Sequence, residues 1–308
     1  MKVRSTLAQL AKKSLCEAVN LDMMNRLARD VFQTYDLHER TGFPSTVPLS
    51  PQLVAHHIVS DAVAENRFLH LIERLIKLDQ EGFMGRRYPV SGLAEIVKQI
   101  RAEGYVWDEE TFLFMEDPRV RRTPNWGRLT DDDEFRFAIL RLDVVGNSRM
   151  VKEHGERAMR GTMEDLRQIV SRSVEVRSGR VWQWEGDGAL AGFLFGPKTM
   201  EAILAGMAIL HELFLYNRLH NRLGDPLRVR AAVHTGALRY QTDPGQLVKQ
   251  EIIQEAVEIE SELTPVGALV ITPAVAPTVD RVILDRFHPV SQSPGTRLLA
   301  YEIRMEGV

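Results

Sequence analysis

The sequence predicts an α+β protein, in which a small all-helical domain precedes a domain with the ferredoxin-like order of strands and helices. Up to about residue 100, apolar residues recur at helical spacing. From residue 135 onward, short apolar runs typical of strands alternate with longer amphipathic segments, and two of these runs are joined by an Asp-Gly turn. The order strand, helix, hairpin, helix, strand, helix, strand is that of an α+β sandwich.

The predicted elements of the second domain follow from these apolar runs. The strand candidates are residues 136–145, 179–184, 188–195, 227–234, 268–272 and 298–304. The helix candidates are residues 151–176, 197–222 and 249–263. We predict a helical regulatory or interaction domain at 1–116, a linker at 117–133, which contains two prolines and an acidic run, and the α+β domain at 134–308.

The composition excludes several classes of protein. The chain has 308 residues, a formal net charge of -3, 44% hydrophobic residues and a single cysteine, Cys16. A disulfide within the chain and a cysteine-rich metal site are therefore ruled out. The most apolar windows are too short and too polar to cross a bilayer, and the N-terminus lacks the apolar core of a secretory signal. We expect a soluble, cytoplasmic protein without a membrane partner.

The helical domain offers little support for binding nucleic acid. Helices followed by the apolar run 105–107 are compatible with a winged-helix DNA-binding domain, and the basic cluster 85–88 would be its electrostatic support. One short basic cluster is more often a solvated loop between packed helices. The safer prediction is a domain that binds a protein partner, whose identity the sequence does not reveal.

The strongest functional signal is a carboxylate at the end of the first predicted strand. Asp143 ends this apolar run, and the turn Gly146, Asn147, Ser148 leads into a helix, which is a geometry that can hold a metal and a phosphate. Asp187 lies in the predicted Asp-Gly hairpin. If the two strands are neighbours, these carboxylates converge on an oxygen-rich site suited to Mg²⁺ or Mn²⁺, and two such ions can position both oxygens of a reacting phosphorus.

Five segments resemble the catalytic domains of class III nucleotidyl cyclases, the adenylate and guanylate cyclases. They occur in the order of the family's motifs and cover about residues 135–304. The segments are DVVGNSRM at 143–150, GRV followed by EGDG between 179 and 188, VRAAVHTG at 229–236, IIQEAVEIE at 252–260 and LAYEI at 299–303.

The resemblance implies a ferredoxin-like fold, a head-to-tail dimer and two metal ions. The family's reaction joins the ribose 3′-oxygen of a purine nucleoside triphosphate to the α-phosphorus and releases pyrophosphate. Asp143 and Asp187 match the metal-binding aspartates, and the carbonyl of Val144 matches a backbone metal ligand. The purine-reading position is Gln183. The turn that cradles the triphosphate corresponds to Val145, Gly146, Asn147 and Ser148.

The second half of the motif set departs from the family. Gln183 stands where adenylate cyclases have Lys and guanylate cyclases have Glu. The transition-state Asn and Arg correspond to Gln254 and Glu258, so a carboxylate replaces a cation where negative charge develops. Loss of one preorganised donor to such an oxyanion lowers the rate by about 10²–10³.

Three functional hypotheses follow. The first is a divergent cyclase-like protein that binds a purine nucleoside triphosphate and a divalent metal, with weak or absent cyclase activity, as a homodimer or as part of a cyclase-like heterodimer. The second is an active cyclase with unusual catalytic residues. The third is a catalytically silent protein that keeps the fold for dimerisation and recruits a partner through its helical domain.

Overall fold

A computed structural model describes residues 1–290 and 297–303. The chain divides into two compact units, 1–121 and 122–308. The division falls inside the stretch 117–133 that the sequence marks as the boundary. Each unit has its own apolar core.

The first unit contains six helices and one two-stranded hairpin. The helices pack their apolar faces together, and Leu15, Ile58 and Leu75 are fully buried between them. The hairpin adds strands to the helices that the sequence predicts, and the N–H of Phe114 donates to the buried Glu73 at 2.8 Å. The elements are α1 (Ser5–Ala18), α2 (Leu21–Phe32), α3 (Leu37–Thr41), α4 (Pro51–Ala64), α5 (Phe68–Glu81), α6 (Leu93–Ala102), β1 (Tyr105–Asp108) and β2 (Leu113–Glu116).

Three of the six helices of this unit, α2, α3 and α4, begin at a side-chain cap. Asn20 accepts a hydrogen bond from the N–H of Met23, and Ser50 accepts one from the N–H of Leu53. Each cap gives a partner to one of the N–H groups that a helix leaves unpaired at its start. The proline-rich stretch before α4 therefore ends at a defined residue.

The second unit is built on a seven-stranded sheet. The strands are β3 (Glu134–Val144), β4 (Arg180–Glu185), β5 (Gly188–Phe193), β6 (Val229–Arg239), β7 (Ala268–Ile271), β8 (His288–Pro289) and β9 (Leu299–Glu302). The helices are α7 (Asn147–His154), α8 (Glu156–Glu175), α9 (Lys198–Leu219), α10 (Pro244–Leu247), α11 (Glu251–Glu258) and α12 (Arg281–Leu284), with a π-helical turn at Ile259–Leu263. Residue 304, the end of the last predicted strand, lies outside the described residues.

The strand order confirms the predicted α+β, ferredoxin-like fold. The sheet runs β4-β5-β3-β6-β7-β9-β8, and the contacts among its first four strands are antiparallel. In chain order these four strands, with α8 between the first and second and α9 between the third and fourth, give the βαββαβ arrangement. β7 is parallel to β6 and extends the sheet on that side.

The two faces of the sheet have different roles. Because side chains alternate along a strand, Leu140 and Leu142 of β3 point to one face, which α8 and α9 cover; we call it the helix face. Arg141 and Asp143 point to the other, which we call the site face. There α11 and the π-helical turn pack over part of the sheet, and Ile259 lies against the apolar cluster of β7 and β9.

Among the described helices, α9 is long and apolar enough by composition to cross a membrane, with a mean hydropathy of 1.3 over 18 residues. Half of that window is buried, and Ile203 and Ile209 are fully buried in the helix-face core. An apolar composition with this degree of burial is typical of a helix in the core of an α+β domain. The same burial explains why its apolar residues do not form one narrow stripe.

Two predicted helices are interrupted. The helix predicted at 151–176 is α7 and α8, separated at Gly155, whose φ of +81° ends the first helix. The helix predicted at 249–263 is α11 continued by the π-helical turn. Sequence periodicity does not detect either interruption, because the apolar spacing continues across both.

The segment 122–133 packs within the second unit. Trp126 is fully buried, and its ring lies against Phe137 and Trp182 with centroids 6.1 Å away in both cases. The indole N–H of Trp182 donates to Pro124 O at 3.1 Å. Trp182 in turn covers Gly192, where a Cβ would lie 2.2 Å from the indole ring. Glycine at this position is therefore required by the close approach of the ring.

We predict that Gly192→Ala destabilises the second unit by about 1–3 kcal/mol, because the added methyl must displace the half-buried indole of Trp182. The free energy of unfolding, from urea denaturation, measures the effect. Gly161→Ala is the matched control: Gly161 is exposed on α8 with no atom near its Cβ position, and alanine there should stabilise by up to about 1 kcal/mol. Equal stability of Gly192→Ala and wild type would contradict the proposed packing.

Candidate functional site

Asp143 lies one residue before the end of β3, on the site face. Its direct neighbour on β6 is Arg230, and Arg230 Nη2 approaches Asp143 Oδ2 at 3.4 Å. The Asp143 side chain is about one quarter exposed, so it is accessible but partly desolvated. A carboxylate in this position is an oxygen donor at the edge of a rigid sheet.

Asp187 follows Gly186 in the tight turn between β4 and β5, where Gly186 has a φ of +60°. The structure brings this turn beside Asp143, as the sequence predicts if the two strands are neighbours, because β5 pairs with β3. Partial burial and the neighbouring Asp143 carboxylate raise the pKa of Asp187. A Cβ on Gly188 would lie 3.2 Å from Asp143 Oδ1, so only glycine allows the hairpin to approach this closely.

The turn after β3 leads directly into α7. Gly146, with a φ of +75°, precedes the first helical residue, and the N–H groups at a helix start have no partner within the helix. The Asn147 side chain hydrogen-bonds to Asp187 and lowers its pKa, while Asn147 Oδ1 is buried without a hydrogen-bond partner among the described residues. The N–H of Val145, by contrast, donates to Arg228 O at 2.9 Å and is used inside the protein.

Three further charged residues, which the sequence does not reveal as a group, complete the site. Arg141 is buried two residues before Asp143, and its Nε lies 3.7 Å from Glu260 Oε2. Arg230 Nε lies 3.2 Å from Glu260 Oε1, and Arg230 Nη1 donates to Ser261 O at 2.7 Å. Glu260 is therefore the shared counter-ion of two guanidinium groups.

The π-helical turn carries Glu260 into this position. Its side chain is only 2% exposed. Burial, and then the charge of Asp143, raise the pKa of Glu260 to about 7, although Arg230 and Arg141 act in the opposite direction. π-Helical turns inside helices occur frequently at functional sites. Glu260 is the second residue of this turn, and its side chain faces the sheet.

Gln183 lies on the site face of β4, beside a bulge between residues 181 and 183. Its amide Nε2 donates to Glu185 Oε1 at 3.1 Å, and its Oε1 is buried without a hydrogen-bond partner in the part of the chain that the structure describes. Trp184 points to the helix face, where it packs against the core and under the guanidinium of Arg167. It therefore lies away from Gln183.

Gln254 and Glu258 are exposed on α11. Gln254 Nε2 donates to Val248 O at 2.6 Å, so its amide bonds to its own segment of the chain. The residue of this region that reaches the aspartates is Glu260. The roles of Gln254 and Glu258 as catalytic positions remain predictions.

The residues present fit a divalent metal ion. Partial burial, and then the charge of Asp143, raise the pKa of Asp187, and a bound cation would relieve both effects. Asp143 and Asp187 offer the carboxylate oxygens that Mg²⁺ and Mn²⁺ prefer, and the role of the Val144 carbonyl as a ligand stays a prediction.

Glu153, His154 and Asp225 form a second group of metal-capable side chains, with ligand atoms within 4.8 Å of one another. Glu153 and His154 lie at the C-terminal end of α7, and the turn at Gly146 precedes its N-terminal end. His154 Nε2 is 3.0 Å from Asp225 Oδ2, and Glu153 is 3.7 Å from Arg149, so ordinary surface pairs account for these contacts.

Comparison with known proteins gives similar structures only. No family model and no curated protein sequence matches the chain. The guanylate cyclase domain of RhGC from Catenaria anguillulae, in complex with GTP, is 13% identical with a TM-score of 0.46, over 55% of this chain and 96% of that one. The adenylyl cyclase CyaB from P. aeruginosa is 14% identical with a TM-score of 0.45, over 56% and 96%.

An adenylate/guanylate cyclase/hydrolase from Silicibacter pomeroyi is 17% identical with a TM-score of 0.44, over 56% of this chain and 99% of that one. The similar structures are thus nucleotidyl cyclase domains, the kind of protein that the sequence motifs resemble. At this level of sequence identity, the similarity concerns the fold alone.

We predict that Glu260 makes the second unit less stable as the pH rises from 4.5 to 7. In this window the unfolded chain releases the Glu260 proton, whose ordinary pKa is 4.5, while the folded chain keeps it. The free energy of unfolding therefore falls by up to about 3 kcal/mol. In Glu260→Gln this fall should be absent, so the variant gains stability relative to wild type as the pH rises.

Urea denaturation at a series of pH values measures this difference. Glu262→Gln is the matched control, because Glu262 is exposed in the same turn. A Glu260→Gln variant that loses stability relative to wild type with rising pH would show that the ionised form is the favoured one.

Proposed function

We propose that this protein is a divergent class III cyclase-like protein that binds a purine nucleoside triphosphate together with a divalent metal, with weak or absent cyclase activity. The convergence of Asp143 and Asp187 at Gly188 is the observation that carries the proposal. The sequence motifs predict this convergence, and it supplies the acidic half of a metal and phosphate site.

In the proposed complex each side chain has a distinct task. Asp143 and Asp187 hold the metal, whose charge, when bound, draws electron density from the phosphates. The backbone N–H groups of Gly146, Asn147 and Ser148 lie at the start of α7 and donate hydrogen bonds to phosphate oxygens. Asn147 Oδ1 and Gln183 Oε1 are buried without a hydrogen-bond partner among the described residues, which supports ligand contacts beside the turn and at the purine position, since buried polar atoms ordinarily have partners.

We expect weak turnover because of two side chains on α11. In the proposal, Gln254 and Glu258 occupy the positions of an amide and a cation that would stabilise the developing charge on phosphorus. Glu258 contributes a negative charge instead. We further propose a homodimer or a cyclase-like heterodimer, a cytoplasmic location and a protein partner for the helical unit.

The alternatives differ in what Asp143 does. An active cyclase would form a cyclic product from one of the four triphosphates. A silent dimerisation protein would keep its partner binding when Asp143 and Asp187 are replaced. We rank both below nucleotide binding without efficient turnover, because the acidic half of the site is assembled while the motif on α11 is altered.

We predict that the protein binds ATP or GTP in the presence of Mn²⁺ and that Asp143→Ala or Asp187→Ala abolishes the metal-dependent part of the binding. Each substitution removes one of the two carboxylates that hold the ion. Isothermal titration calorimetry with and without Mn²⁺ measures this. Glu164→Ala, an exposed acid on α8, is the charge-matched control. Absence of metal-dependent binding for every purine triphosphate would overturn the proposal.

We predict that Gln254→Asn combined with Glu258→Arg raises cyclic product formation by about 10² or more, because the pair restores a donor and a cation for the transition-state charge. Chromatography of the product with Mn²⁺ and each triphosphate measures the rate. Both side chains are exposed, so the substitutions should not disturb the core. Glu262→Arg changes the charge of the same region equally; the same gain in that control would show a nonspecific effect.

A further inference from the structure

Arg141 is a buried cation at the proposed metal site that the resemblance does not predict. It lies on the same face of β3 as Asp143, two residues earlier, and its side chain is 9% exposed. Its Nη1 lies 3.5 Å from Glu185 Oε2 and its Nε lies 3.7 Å from Glu260 Oε2. The guanidinium is therefore held between the β4–β5 hairpin and the π-helical turn.

The guanidinium group also borders the two metal-binding aspartates. Measured from the position of a Cβ on Gly188, Arg141 Nη2 is 2.8 Å away and Asp143 Oδ1 is 3.2 Å away. Gly188 directly follows Asp187 in the chain. The cation and the Asp143 carboxylate thus meet at a backbone position that lacks a side chain to separate them, and the Asp187 carboxylate is close enough for the charges of both to affect its pKa.

The charges at this site are partly balanced by the protein itself. Four carboxylates, those of Asp143, Glu185, Asp187 and Glu260, surround two guanidinium groups. Arginine keeps its charge at every accessible pH, so these two positive charges are permanent. They oppose the accumulation of further cations near Asp143, because like charges repel strongly in a partly desolvated site.

One oxygen of Asp143 already has a cationic neighbour. Arg230 Nη2 lies 3.4 Å from Oδ2, which leaves Oδ1, on the side of Gly188 and Arg141, as the less engaged oxygen. A carboxylate that bridges two metal ions uses both of its oxygens. The arrangement therefore suits one ion shared by Asp143 and Asp187 better than two.

We propose that Arg141 supplies positive charge that a second metal ion would otherwise supply, so that the chain binds a nucleoside triphosphate with one divalent ion. This inference rests on the proposed function, namely that Asp143 and Asp187 hold the metal of a bound nucleotide. It adds a specific residue and a specific number of ions to that proposal. Arg141 acts here as a positioning and charge-balancing residue, since it contacts carboxylates.

Counting bound Mn²⁺ tests the inference. The full chain is saturated with a non-hydrolysable purine triphosphate analogue, Mn²⁺ is titrated in, and the free ion is measured by electron paramagnetic resonance. We expect one Mn²⁺ per nucleotide-loaded chain in wild type and two in Arg141→Met. Arg136→Met is the matched control, because Arg136 is exposed on the same strand, and it should keep one ion.

The outcomes separate this inference from the proposed function. Two ions in wild type overturn the inference and leave nucleotide binding intact, whereas no bound ion overturns both. One ion in wild type and in folded Arg141→Met overturns the role of Arg141. Because Arg141→Met removes one partner of the buried Glu260, the double variant Arg141→Met with Glu260→Gln serves as a second test in which no buried carboxylate loses this counter-ion, and it too should bind two ions. Circular dichroism checks that each variant folds.

Discussion

The ion pairs that Glu260 makes with Arg141 and Arg230 determine how the site face of this protein is assembled. Both arginines lie on neighbouring strands of the sheet, and both are largely buried, so each needs a carboxylate at close range. Glu260 meets this need from the π-helical turn, which packs over β3 and β6. The hydrogen bond that Arg230 Nη1 donates to Ser261 O holds this π-helical turn against the sheet. Each of the three groups has a second charged neighbour as well, since Arg141 also approaches Glu185 and Arg230 also approaches Asp143.

This cluster also explains why Asp143 and Asp187 remain available for a ligand. The guanidinium groups are occupied by Glu260, Glu185 and one oxygen of Asp143. Asp187 receives hydrogen bonds from its own backbone and from Asn147, while its pKa stays raised by burial and by Asp143. The two aspartates therefore form the part of the site where negative charge is least compensated. A metal carrying phosphate would complete it.

The acidic residues at the end of β3 and in the β4–β5 hairpin are held differently from the polar residues of α11. The central strands of the sheet position the end of β3, the turn at Gly146 and the Asp-Gly hairpin. These three segments are therefore fixed relative to the core. The exposed side chains of α11 carry no such constraint, since Gln254 bonds to its own segment and Glu258 is exposed. The two aspartates are thus held by the sheet, whereas Gln254 and Glu258 lie on the surface of a helix.

The sequence by itself determined the elements that local chemistry specifies. Alternation of apolar residues predicted the strands, the Asp-Gly turn predicted the β4–β5 hairpin, and the position of Asp143 before a glycine turn predicted the acidic end of β3. These signals are local, because each depends on residues close together in the chain. The strand order then followed the ferredoxin-like pattern that the element order favoured.

Only the tertiary structure decided which charges meet. Arg141, Arg230 and Glu260 come from separate segments, and in the sequence each is one ordinary charged residue among many. The break at Gly155 and the widening at Ile259–Leu263 interrupt apolar spacing that continues in the sequence. Burial of a guanidinium group is a property of the packed sheet, and so is its need for a counter-ion. Sequence spacing cannot report either one, because both arise from contacts between residues that are distant along the chain.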